Sequence, residues 1–168
     1  MCGLAGSTSL PEGFLARARR RLRHRGPDGD GEWRDAETGF GVAHARLAVI
    51  DLSQAAAQPM VSADGRYVIA FNGEIYNFRA LRAELEAAGE RFKSDSDTEV
   101  LLALLRQDGA AGLARAVGMF AFALWDRDKK ELLLARDRLG IKPLVYAPLQ
   151  DGGVAFASEI QALKEHPG

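Results

Sequence analysis

The 168-residue sequence has one cysteine, no long apolar run and almost no net charge. A single cysteine excludes an intramolecular disulfide, so we expect a reducing compartment, the cytoplasm. No apolar run approaches the roughly 18–20 residues that span a bilayer, and residues 4–10 are too short and polar for a signal-peptide core. A net charge of −1 removes the general electrostatic reason to bind nucleic acid or membranes, and we expect neither as a partner.

The composition is that of a globular protein, with 47% hydrophobic and 27% charged residues. This length makes one ordinary domain, so residues 1–168 are predicted to fold as a single unit. The sequence ends at Pro167-Gly168, directly after a helical stretch, which fits a domain boundary as well as a natural end.

The one cysteine, Cys2, follows Met1 directly. Removal of Met1 would give Cys2 a free α-amine, whose pKa of ~7.7–8.0 lets it act as a base near neutrality. An N-terminal amine is a known activator of its own side-chain nucleophile. Cys2 is therefore a candidate catalytic nucleophile. The alternative is a small apolar residue that only packs.

An S-x-x-E capping box at Ser9 and Glu12 predicts a helix to about Arg23. Its arginines favour a solvated helix face, with a nucleic-acid patch as the remote alternative. The following RGPDGDG segment, residues 25–31, predicts a turn-rich loop. It lacks the glycine and glutamate that a calcium loop needs, so no metal site is predicted.

Residues 40–51 predict a strand with a break. His44 on this strand is either a catalytic base or a structural histidine whose ring is hydrogen-bonded within the fold. Residues 67–71 predict another strand, leading into Asn72-Gly73. Asn-Gly often makes a hairpin, but here a helix follows, capped at Asn77 and ended at Gly89. A capping box at Ser96 and Glu99 opens the next helix, which runs to Gly109.

Residues 119–125 are apolar at every position, which predicts a strand covered on both faces. A polar turn and residues 132–135 complete a hairpin. Residues 144–147 and 154–157 add two strands before a last helix from about Glu159. Buried antiparallel hairpins with amphipathic helices indicate an α+β fold, a helix–sheet–sheet–helix (αββα) sandwich of two stacked antiparallel sheets.

Several motifs in order resemble one family. They are Cys2, RHRGPDGDG (23–31), AHARLAVID (43–51), FNGEIYN (71–77), SDSDTEV (94–100), GMFAFALWD (118–126) and RDRLGIKPL (136–144). From Met1 to about Lys164, the chain resembles the glutaminase domain of glutamine-hydrolysing asparagine synthetases. These are class II glutamine amidotransferases of the N-terminal-nucleophile hydrolase superfamily. The resemblance implies the αββα fold and hydrolysis of L-glutamine to glutamate and ammonia.

The resemblance implies that Cys2 is the nucleophile and its α-amine the base. It implies that the Asn72 amide and the Gly73 N–H form the oxyanion hole and also contact the substrate. Fixed neutral donors of this kind stabilise charge that develops on a carbonyl oxygen.

The resemblance also implies a substrate-binding set. Arg46 would clamp the α-carboxylate of glutamine, because a planar guanidinium suits bidentate binding. Asp97, with Glu74 nearby, would accept the α-ammonium. The pocket wall or its backbone contacts would come from Leu47, Val49 and Ile50.

The ATP-pyrophosphate loop of the family's synthetase half has no counterpart in these residues. We therefore expect no cofactor in this domain, with ATP and Mg²⁺ belonging to a synthetase domain or subunit that receives the ammonia. A homodimer is possible. Two alternatives stay open: a catalytically silent module that docks to a separate synthetase, and an N-terminal-nucleophile amidase for another amide.

Overall fold

The computed structural model describes residues 1–168, in nine strands and four α-helices joined by loops and short 3₁₀ turns. The strands are β1 (Gly3–Ser7), β2 (Gly29–Asp35), β3 (Phe40–Arg46), β4 (Met60–Val61), β5 (Tyr67–Ile75), β6 (Gly118–Asp126), β7 (Glu131–Arg136), β8 (Val145–Pro148) and β9 (Val154–Ala157). The helices are α1 (Phe14–Leu22), α2 (Phe78–Ala87), α3 (Asp97–Asp108) and α4 (Ile160–Leu163).

The strands form two antiparallel sheets. One has the order β2-β3-β1-β9-β8 and the other β4-β5-β6-β7. In the first sheet Gly3 at the start of β1 pairs with Ala45 near the end of β3. In the second, β5 and β6 pair along their whole length, from Tyr67–Asp126 to Ile75–Gly118. The start of the central strand β1 therefore lies beside the loop that leaves β3.

Three apolar clusters separate four layers, so the predicted αββα sandwich is confirmed. The cluster between the sheets includes Leu4, Val68, Ala70 and Phe156. A second joins the other face of β1, β3 and β9 to α1 and α4, and the third joins the β4–β7 sheet to α2 and α3. Side chains alternate along each strand, which is why the apolar run 119–125 of β6 supplies residues to two clusters at once. None of the helices has the length and apolar content to cross a bilayer.

The two predicted capping boxes have different outcomes. Ser96 caps α3 by accepting the Thr98 N–H at 3.1 Å. Its partner Glu99 instead accepts the N–H and hydroxyl of Ser94. The box predicted at Ser9 is wrong, because Gly13 adopts a left-handed backbone with φ of 73° and the helix begins only after it.

Four further predictions need correction. The predicted loop, residues 25–31, is wrong from Gly29 onward, where the edge strand β2 begins; β2 pairs with β3 from Gly29–Arg46 to Asp35–Phe40. Pairing with β3 stabilises this glycine-rich segment as a strand. Local strand propensity does not include the free energy of such pairing. β3 ends at Arg46 instead of continuing to residue 51, and β5 extends through Asn72-Gly73 to Ile75. Asn77 precedes α2, but its amide bonds Val117 N–H and the Arg115 carbonyl instead of capping the helix.

The arginine-rich helix is largely neutralised by acids from other segments. Arg21 pairs with Glu165 at 2.7 Å, and Arg19 pairs with Asp30 of β2. Arg25, which follows the helix, is buried and not on a solvated face as predicted. Its guanidinium pairs with Glu159 at 2.7 Å.

Candidate active site

Cys2 lies immediately before β1, at one end of the space between the sheets. Its sulfur accepts the Leu47 N–H at 3.3 Å, because the start of β1 lies beside the residues that follow β3. The Cys2 carbonyl accepts a hydrogen bond from Arg25 Nε at 2.9 Å. Cys2 is thus held at its sulfur by the residue after β3 and at its carbonyl by Arg25.

Burial raises the pKa of the Cys2 thiol above its ordinary value. The Leu47 N–H and the positive charges of the N-terminal amine, Arg46 and Lys142 lower that pKa, but they do not offset burial. The thiol is therefore mostly protonated at neutral pH, and attack on an amide requires a base close to it. Met1 lines the same cavity, and while it is attached the nitrogen of Cys2 is an amide with no basic lone pair.

A cavity of about 230 Å³ opens beside the Cys2 sulfur. All the site residues that the sequence predicted line it: Cys2, Arg46, Leu47, Val49, Ile50, Asn72, Gly73, Glu74 and Asp97. Val49 is 68% exposed and lies at the rim, whereas Asn72 is 1% exposed. The structure brings the predicted set together, and the individual roles stay predictions.

One edge of β5 is open at this cavity, because β4 pairs only with Val68 and Ile69. Backbone groups of odd-numbered residues point to that edge, since the Ser62 N–H bonds the Tyr67 carbonyl there. The Gly73 N–H therefore points to the open edge, and none of the side-chain hydrogen bonds of the molecule involves it. A Cβ at Gly73 would lie 2.4 Å from the Met119 carbonyl oxygen, so only glycine fits.

The side chain of Asn72 lies on the inter-sheet face of β5, the face that Val68 and Ala70 share. Its Nδ2 is buried and has no hydrogen-bond partner in the protein. A buried donor without a partner costs about 1–3 kcal/mol. Together, the free Asn72 amide and Gly73 N–H place two neutral donors at the cavity that holds the thiol.

Arg46 ends β3 with its guanidinium held by the loop that follows. It donates to the carbonyls of Ser53 at 3.1 Å and Asp51 at 2.5 Å. Two of its five N–H groups are used in this way, and the others can bind an anion. The loop thus fixes the orientation of a cation at the cavity wall.

Asp97 begins α3 and is 5% exposed. Its Oδ2 accepts the Ile75 N–H at 2.9 Å, farther along the open edge of β5. Burial, assisted by the neighbouring Glu74 carboxylate, raises the pKa of Asp97 to about 6. The carboxylate is ionised above that pH and can then bind an ammonium group.

Replacing Asp97 with asparagine should stabilise the protein at neutral pH and weaken glutamine binding. A carboxyl whose folded-state pKa is raised loses stability as pH rises from about 4 to about 6, and asparagine avoids this cost. We expect a higher melting temperature than wild type at about pH 8, no gain at about pH 4, and a raised KM. The wild-type KM should itself rise as pH falls through the pKa of Asp97. A lower melting temperature at pH 8, or an unchanged KM, would contradict the assignment.

Two further residues, Lys142 and Gln58, line the cavity and were not predicted as site residues from the sequence. Lys142 is 6% exposed and lines the cavity, while the amides beside it bond the buried Asp137 carboxylate. The GIKPL motif, residues 140–144, was the sequence feature that could have indicated Lys142. Gln58 also lines the cavity, and its role depends on contacts that the sequence does not reveal.

An αββα sandwich with a cysteine at the start of its central strand is the fold of the N-terminal-nucleophile hydrolases. The glutamine phosphoribosylpyrophosphate amidotransferase of B. subtilis shares this fold, with a TM-score of 0.81 at 24% identity over 97% of this chain and 43% of that one. The sequence profile described as "Glutamine amidotransferase domain" matches residues 1–168. The chain therefore belongs to the glutamine amidotransferase domain family.

Sequence relatives agree with this assignment. The chain is 43% identical to asparagine synthetase [glutamine-hydrolyzing] 1 of Bacillus subtilis, over 97% of this chain and 26% of that protein. It is 45% identical to asparagine synthetase B [glutamine-hydrolyzing] of Escherichia coli, over 86% of this chain and 25% of that protein. The chain thus spans about a quarter of the length of these relatives.

Proposed function

We propose that this domain hydrolyses L-glutamine to glutamate and ammonia through a thioester on Cys2. The observation that carries the proposal is the pair of free donors, Asn72 Nδ2 and Gly73 N–H, in the cavity of the Cys2 thiol. Hydrolysis of an amide builds charge on one oxygen, and such donors stabilise it without reorganising.

In the proposed reaction, the free α-amine of Cys2 takes the thiol proton as the sulfur attacks the glutamine side-chain carbonyl. Asn72 and Gly73 hold the oxyanion. The protonated amine then gives its proton to the leaving nitrogen, and ammonia departs. The same amine deprotonates water, which attacks the thioester, releases glutamate and restores the thiol.

Arg46 and Asp97 support a free amino acid as the substrate, since they offer an oriented cation and a carboxylate in one cavity. We assign the α-carboxylate to Arg46 and the α-ammonium to Asp97. An amide without these groups would leave the buried Asp97 carboxylate and the Arg46 guanidinium without an opposite charge in the cavity, which disfavours its binding.

Replacing Arg46 with alanine should raise the KM for glutamine by about 10–100-fold and change kcat much less, since a charge-assisted contact is worth about 1.5–3 kcal/mol. Steady-state ammonia release from protein lacking Met1 measures both constants. The matched control is 4-aminobutanamide, glutamine without its α-carboxylate, on which variant and wild type should perform alike. Unchanged saturation by glutamine would contradict the clamp, and equal rates on asparagine and simple acyl amides would contradict a glutamine-specific site.

We further propose that a synthetase domain or subunit receives the ammonia, as the names of the relatives suggest, and that ATP and Mg²⁺ act there. The surface around the cavity supports such a partner. Its loops follow the strand ends that meet at Cys2, and they expose large apolar side chains: Val49, Leu52, Tyr76, Val117, Leu139 and Ile141. Exposed apolar clusters of this kind mark interaction surfaces. A thiol nucleophile must stay reduced, which supports a cytoplasmic site of action.

A further inference from the structure

Phe71 precedes the proposed oxyanion donors, and its backbone groups on the open edge of β5 have hydrogen-bond partners. The Phe71 N–H donates to Gln58 Oε1 at 2.6 Å, and its carbonyl lies 2.9 Å from His44 Nε2. A neighbouring strand would satisfy both groups, but β4 begins only at Met60, opposite Ile69, and does not extend to Phe71. Two side chains from different parts of the chain therefore take its place.

His44 connects the two sheets. It lies on β3 opposite Leu4 of β1, is fully buried, and reaches across to the Phe71 carbonyl. A carbonyl only accepts, so Nε2 carries the proton and donates. Burial lowers the pKa of His44 to about 4, so the imidazole is neutral near pH 7. Because β3 pairs with β1, which begins beside Cys2, this hydrogen bond links the sheet of the nucleophile to the strand of the oxyanion donors.

Gln58 makes the second connection. While its Oε1 accepts the Phe71 N–H, its Nε2 donates to Thr98 Oγ1 at 3.3 Å. Thr98 lies in the first turn of α3, next to Asp97, which accepts the Ile75 N–H of the same edge. The polar groups on both sides of Gly73 are thus bonded to side chains, and the Gly73 N–H between them is left for a ligand.

We propose that Gln58 and His44 are positioning residues that replace the missing neighbouring strand. They hold the two peptide groups on either side of Phe71, so that the Asn72 amide and the Gly73 N–H face the reacting carbonyl. This inference rests on the proposed glutaminase function. Gln58 and His44 lie outside the predicted site, and their role would be to orient the oxyanion hole. Misplacement of a catalytic group by about 1 Å costs as much as 10²-fold in rate.

The test compares Gln58→Met with Gln54→Met, and His44→Leu with His44→Gln, in protein from which Met1 has been removed. Met keeps the volume of Gln58 without its hydrogen bonds, and Gln54 is an exposed glutamine of the same loop. Glutamine at position 44 retains a neutral N–H donor. We expect Gln58→Met and His44→Leu to lower kcat about tenfold or more with KM within about twofold of wild type, and Gln54→Met and His44→Gln to stay within about threefold in kcat.

A second arm separates positioning from a general loss of structure. In an Asn72→Ala background one of the two oxyanion donors is already gone, so Gln58→Met should lower kcat by a factor at least about threefold smaller there than in the wild-type background. The same loss in both backgrounds, or a loss in KM alone, would overturn the inference. If wild-type protein without Met1 does not hydrolyse glutamine, the proposed glutaminase function is wrong. This outcome is distinct from one in which the wild type is active but Gln58→Met and His44→Leu have no effect on kcat.

Discussion

Cys2→Ala should abolish glutamine hydrolysis. Loss of the nucleophile in a serine hydrolase costs on the order of 10⁶ in kcat, and no other thiol in this chain can take over. The variant should fold like wild type, since alanine also fits at the start of β1. Glutamate and ammonia release from protein with Met1 removed gives the rate, and its melting temperature serves as the folding control.

Met1 provides a matched control with the thiol intact. Protein that retains Met1 should be as inactive as Cys2→Ala, because the nitrogen of Cys2 is then an amide and cannot accept the thiol proton. N-terminal sequencing or intact mass establishes which form is present. If Cys2→Ala keeps wild-type turnover, the thioester mechanism is wrong. If the mature protein retains Met1 and hydrolyses no amide, the alternative of a silent docking module is favoured.

Asn72→Ala should lower kcat by about 10²–10³-fold, as removal of single oxyanion donors does, with a much smaller change in KM. The reason is that the Asn72 Nδ2 has no partner in the protein, so its hydrogen bond forms only with bound substrate and strengthens as charge develops. Asn72→Asp should be equally impaired, because a carboxylate supplies no donor. Steady-state kinetics with glutamine measures the effect.

Asn77→Ala is the matched control, since Asn77 is the chain's other asparagine and lies just beyond the end of β5. Its amide bonds the Val117 N–H and the Arg115 carbonyl, so its loss should lower the melting temperature and leave kcat near wild type. A loss below threefold for Asn72→Ala, or an equal kcat loss for Asn77→Ala, would remove Asn72 from the oxyanion hole.

The predicted elements that held were those whose signal is local. The apolar run of β6 and the serine that caps α3 are properties of neighbouring residues, and both are present. β2 was not predicted from its local sequence, because its glycines and acids indicate a turn. Its pairing with β3 stabilises it as a strand. The helix predicted to open at Ser9 is present, but it begins only at Phe14, because Gly13 before it adopts a left-handed backbone.

The sequence by itself determined the layered fold, the membership of the family and the nine predicted residues that line the cavity, but not Lys142 or Gln58. These features follow from apolar periodicity and from ordered motifs. Only the tertiary structure decided how those residues are held. Gln58 and His44 lie 13 and 27 positions from Phe71, and Arg25 lies 23 positions from Cys2. The His44 bond forms only when the two sheets stack, and the other two form only when distant segments come together at one sheet. The short β4, which leaves the edge of β5 open, is likewise a property of pairing and not of any single segment.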